Sequence, residues 1–148
     1  MPRKLGHNRQ VESSLKLVRT VWAAMLGSIA LYVLVAERFA PPPKETTPGF
    51  FYAITVMAVA MIGAIFVTRR VLVARSENVL ATNPEDSFAL NRWRLGYLIT
   101  FGLSEAVALY GLALRFAGSY FSQVVPFFLA GFILMLFFGP RRPCNAIG

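Results

Sequence analysis

LGYLITFGLSEAVALYGLALRF, residues 95–116, is the stretch from which the chain is read. At about 1.5 Å per residue it reaches roughly 33 Å, enough to cross a hydrocarbon layer about 30 Å thick. One carboxylate, Glu105, lies inside it. Counted from Leu95, Glu105 sits about 15 Å into the layer, close to its midplane. An ionised group at that depth is expensive, and intramembrane acids are accordingly rare and tied to function. Two readings compete: a site that takes up and releases protons, and a carboxyl that only joins two helices by a hydrogen bond.

Outward from this stretch the composition agrees with a membrane protein. The 148 residues are 56% hydrophobic with a mean hydropathy of +0.56, whereas soluble domains are about half apolar. Apolar runs of crossing length occur at 18–36, 50–68, 95–116 and 120–138. None shows the alternation of a barrel strand, so the expectation is an all-α integral membrane protein with four transmembrane helices in one domain, 1–148. Lys and Arg set the orientation. Arg3, Lys4, Arg9, Lys16 and Arg19 precede the first span; Arg69, Arg70, Arg75, Arg92 and Arg94 lie in the 69–94 connection; Arg141 and Arg142 follow the last span. Only Arg38, Lys44 and Arg115 fall on the other side, so both termini and the 69–94 hairpin are expected in the cytoplasm. The net charge of +8 is then topogenic and lipid-facing, and calls for no nucleic acid.

Between the spans the expectations are local. Val11, Leu15 and Val18 predict an interfacial helix leading into a retained signal-anchor span, with Trp22 and Tyr32 marking its opposite interfaces. Pro41, Pro42, Pro43 and Pro48 predict an extended exterior loop. In the second span Ala53, Ala58, Ala60, Gly63 and Ala64 offer a face for close helix approach. A helix is expected to run on to about Leu80 and break at 81–83. The next would start with Asn83 as N-cap, Pro84 in the first turn, and Glu85 and Asp86 complementing the dipole. Arg115 is expected to snorkel outward rather than pair with Glu105. Ser119 is the expected cap of the fourth span, in which Pro126 should loosen the first turns and the Phe series from Phe127 to Phe138 should form packing or lipid-facing surface. No span contains His or Cys, His7 lies on the charged arm and Cys144 stands alone in the tail. No metal or cofactor is expected, and no enzymatic activity by the chain alone, since no P-loop, GxSxG, HExxH or CxxC pattern occurs.

The string GLSEAVALYGL, residues 102–112, resembles the outer, carboxylate-bearing helix of the proteolipid c subunit of F-type ATP synthases. There a mid-helix Glu is followed by Ala, apolar residues, Tyr and Gly, as from Glu105 to Gly111. Asn83-Pro84-Glu85 stands where that family carries its Arg-Gln-Pro loop. The resemblance is best over 83–116 and takes in the second and third spans as a c-like hairpin. It implies Glu105 as the proton-binding group, and proximity in sequence adds Gly102, Ser104 and Tyr110 as its possible neighbours. The second span lacks Asp, Glu and Gln, which within the resemblance favours protons over sodium. The chain departs from the family in three ways. Pro84 to Glu105 is about one helical turn longer, the second span carries only Gly63 in place of a glycine run, and two more spans flank the hairpin. Without the glycines no large ring of identical copies is expected, and the implied partners are membrane lipids and the other subunits of an energy-transducing complex in a bacterial inner membrane. The alternative is a non-catalytic accessory subunit of a respiratory or photosynthetic complex.

Overall fold

In the computed structural model, which describes residues 2–44, 47–83 and 86–140, with residues 2–11 as backbone only, every regular element is a helix. The elements are α1 (Pro2–Arg38), α2 (Pro48–Thr68), a π-helical segment (Arg69–Ala74), α3 (Arg75–Thr82), α4 (Ser87–Phe116) and α5 (Phe121–Phe137). Three helical stretches among these residues are long and apolar enough to cross a membrane: Glu12–Arg38, Pro48–Thr82 and Ser87–Phe116. α5 has 17 residues, about 26 Å, the lower limit of a crossing helix. Pro126 lies inside it.

α4 is the centre of the molecule. It packs against α1, α2, the π segment, α3 and α5, and its buried side includes Trp93, Tyr97, Phe101, Val107 and Leu114. Along that side runs a line of small residues, Gly96, Thr100, Ser104, Ala108 and Gly111, all buried. The hydroxyls do not project outward: Thr100 Oγ1 donates to Gly96 O at 2.7 Å and Ser104 Oγ to Thr100 O at 2.8 Å. Neighbouring backbones therefore come close. A Cβ added at Gly96 would stand 2.7 Å from Val73, one at Gly111 2.9 Å from Phe127, and one at Gly131 of α5 2.8 Å from the Ser104 carbonyl. These contacts pair residue 73 with 96 and residue 131 with 104, so both the α2–α3 arm and α5 run antiparallel to α4. α1 runs parallel to α4, with Trp22 Nε1 donating to Met135 O at 2.9 Å.

Several local expectations are corrected. The N-terminal arm is no separate interfacial helix; α1 is continuous, and Leu15 and Val18 are buried in the core. Asn83 does not cap α4. Its N–H donates to Val79 O at 2.8 Å, ending α3, and Asp86 takes the cap: Oδ1 accepts from the N–H groups of Phe88 at 2.9 Å and Ala89 at 3.1 Å. Either side chain can accept such bonds; Asp86 does so because its backbone is the extended residue directly before α4, while the N–H of Asn83 is spent on α3. Pro84, Glu85, Arg141, Arg142 and Cys144, like the His7 side chain, lie outside the described residues. On α2 the small residues are divided: Ala58 is buried and Ala64 half-buried, but Ala53, Ala60 and Gly63 are exposed, and nothing lies within 4 Å of a Cβ placed at Gly63. Close approach is supplied by α4 instead.

At the α4–α5 turn Gly118 has φ +104°, a value that favours glycine. Ser119 N–H donates to Leu114 O at 3.0 Å and Gly118 N–H to Arg115 O at 3.2 Å, a Schellman cap of α4. Ser119 thus closes α4 and does not cap α5, whose N-cap is Tyr120, with Gln123 Oε1 accepting the Tyr120 N–H at 3.2 Å. Arg115 Nη1 donates to Pro41 O at 3.3 Å and Ser119 O at 3.2 Å, and Lys44 N–H to Gly118 O at 3.0 Å, so the proline loop rests on this turn. At the opposite end Arg69 lies 5.0 Å from the Tyr97 ring and 4.6 Å from the Phe138 ring, and its Nη1 donates to Phe138 O at 3.4 Å.

Two glycine substitutions should part company. Gly131→Val forces a side chain onto the Ser104 carbonyl and should lower stability by about 1–3 kcal/mol. Gly63→Ala meets open space and should raise it by roughly 0.5–1 kcal/mol through helix propensity. Reversible unfolding in mixed detergent micelles measures both.

Candidate functional site

The parallel course of α1 along α4 brings Tyr32 to Glu105. Tyr32 Oη donates to Glu105 Oε1 at 2.6 Å across 73 positions of sequence, and both side chains are half-buried. The distance lies within the ordinary range of O–H···O hydrogen bonds. A phenol can donate to either form of a carboxyl group, because the protonated form keeps an acceptor oxygen. The bond can therefore survive a change in protonation, and Tyr32 is placed to hold Glu105 in position through one.

α1 presents Tyr32 because its inward positions follow a 3–4 alternation. Leu15, Val18, Trp22, Met25, Ile29, Tyr32 and Ala36 all belong to the core or pack against it. This is the a/d spacing of a helix seam. Tyr32 thus stands on the packed side of α1, facing α4. The signal that would have found it was present: extending the Leu15–Val18 period along α1 places Tyr32 on the buried seam.

None of the neighbours expected from sequence, Gly102, Ser104 and Tyr110, hydrogen-bonds Glu105; its partner is Tyr32. Ser104 is buried, its carbonyl facing α5 at Gly131 and its hydroxyl bonded to Thr100. Adjacent residues point about 100° apart around a helix, so Ser104 and Glu105 look in different directions. Tyr110, five residues on and turned about 140° from Glu105, packs half-buried against the core. Gly102 is one turn before Glu105, and a Cβ there would meet nothing within 4 Å. Arg115 engages carbonyls at the far turn, as expected, and not Glu105. Among the described residues the one ion pair is Lys16–Glu12 at 3.8 Å, so no cation reaches Glu105. Nor do those residues contain a cluster of His, Cys, Asp or Glu able to hold a metal ion.

A helical bundle with crossing-length apolar helices and one carboxylate held between them defines a membrane protein. Comparison does not refine the class further: no family model, curated protein or solved structure matches the chain.

The pair makes a direct energetic prediction. Tyr32→Phe and Glu105→Ala, singly and together, should give a double-mutant cycle with a coupling of about 0.6–1.7 kcal/mol in favour of the native pair. Strictly additive losses of stability in micelles would show that the two side chains do not interact.

Proposed function

We propose that the chain is a small proton-handling subunit of a larger energy-transducing membrane complex, with Glu105 as its protonatable group and Tyr32 as the residue that positions it. The observation that carries this reading is the 2.6 Å Tyr32–Glu105 hydrogen bond, made half-buried between α1 and α4. Two further features support it. Glu105 has no cationic partner among the described residues, so its charge is not permanently compensated by an ion pair. Counted from Leu95 it also falls about halfway along a crossing-length helix, where an acid is expensive and points to function.

In this reading the polypeptide crosses the membrane four times, α5 being the shortest crossing, with both termini and the 69–94 hairpin in the cytoplasm of a bacterial cell. The α2–α4 arm plays the part of a c-like hairpin, α1 covers the carboxylate, and α5 closes the other side of α4. The chain works among other subunits and does not build a large ring of its own. A second reading, the accessory subunit, is favoured by one observation: Tyr32 ties Glu105 into the bundle as an interhelical link, which needs no proton exchange at all.

Carbodiimide labelling separates the two. A working proton site in native membranes should be labelled at Glu105, faster at lower pH, and Tyr32→Phe should shift the pH profile of labelling. A Glu105 that stays unlabelled, with Glu105→Gln indistinguishable from wild type in folding and in the proton flux of its complex, would leave the accessory role standing. Reporter fusions at Gly148 and beside Lys44 should report opposite compartments; the same compartment for both would remove the four-crossing topology.

A further inference from the structure

We infer that the open cavity between α1 and the end of α5 is a binding site for the headgroup of an anionic phospholipid. The cavity has a volume of about 540 Å³ and is lined by Arg19 and Trp22 from α1 and by Leu136, Phe137, Gly139 and Pro140 from α5 and the residues after it. It lies at the end of the bundle where Arg69 closes α5. Its lining is graded: an exposed guanidinium at the rim, an indole beside it, and an apolar floor in which Phe137 is 66% exposed.

The gradient fits a ligand that is charged at one end and apolar at the other. Among the described residues no acid pairs with Arg19: Glu12, two turns back on the same helix, lies 3.8 Å from Lys16. Trp22 holds its place through Nε1, which donates to Met135 O at 2.9 Å, so its ring is a fixed wall of the cavity. The end of a helix carries partial negative charge and would oppose an anion. Here that charge is offset, since Arg69 Nη1 donates to Phe138 O at 3.4 Å and its guanidinium lies over the Phe138 ring. The floor favours a lipid over a free ion. Inorganic phosphate has no use for Leu136 and Phe137, whereas the glycerol and upper acyl carbons of a phospholipid would cover them and continue onto Ile133, exposed one turn earlier on α5. A 17-residue α5 also brings this cavity to the depth at which headgroups begin.

The test is native mass measurement of the full chain in detergent, titrated with phosphatidylglycerol or with phosphatidylcholine. One phosphatidylglycerol per chain should be retained in preference to phosphatidylcholine. Arg19→Gln, a change at an exposed position, should weaken that retention about fivefold, as expected for one basic residue near a lipid phosphate. Arg19→Lys should keep most of it, and Arg75→Gln, exposed on α3, should leave it unchanged. Equal retention of phosphatidylcholine, an unaffected Arg19→Gln, or full competition by inorganic phosphate would each overturn the assignment.

Discussion

The bundle depends on how closely other helices approach the backbone of α4. In lipid there is little hydrophobic drive between helices, so association rests on packing and hydrogen bonds. Gly96, Thr100, Ser104, Ala108 and Gly111 meet this requirement by leaving no bulk along one side of α4 and by returning their hydroxyls to its own carbonyls. Val73 fits against Gly96, Phe127 against Gly111, and Gly131 against Ser104. With those neighbours seated, the rotation of α4 about its axis is set, and Glu105 is left pointing along the α1 side. The position of the carboxylate thus follows from the small residues behind it.

Much of this architecture was legible in the sequence because length and polarity are local properties. The run at 95–116 announces a crossing helix, and α4 ends at Phe116. The break near 81–83 appears where the helical pattern stops. What the sequence did not disclose was which side of each helix meets which neighbour. The small residues of α2 looked like the packing face, yet Gly63 borders open space, while those of α4 carry the close contacts. Helix caps failed for a related reason. Asn83, Asp86, Ser119 and Tyr120 all stand near helix ends, and only backbone geometry decides which belongs to the helix before and which to the helix after.

The site divides the same way. Glu105 is conspicuous on its own, since a single acid in an apolar run has a depth that can be counted. Its partner is 73 positions away and is found only by following the heptad seam of α1 from Leu15 to Ala36. Proximity in sequence selected Gly102, Ser104 and Tyr110, but Ser104 and Tyr110 point to other sides of the helix, Gly102 carries no side chain, and the residue that touches the carboxylate comes from another helix. Arg69 is a further case of this kind. Charge counting assigned it to topology alone, whereas its guanidinium also ties the start of the π segment to Tyr97 and to the end of α5.

The central proposal is that Glu105 exchanges a proton while Tyr32 holds it in place. Infrared difference spectroscopy on the reconstituted chain tests it most directly, by following the carbonyl stretch of a protonated carboxyl as pH is varied. The account predicts a band that titrates, shifts in heavy water, moves in Tyr32→Phe through the lost hydrogen bond, and disappears in Glu105→Gln. A carboxyl signal from Glu105 that does not change over the accessible pH range, or one that Tyr32→Phe leaves unaltered, would contradict it.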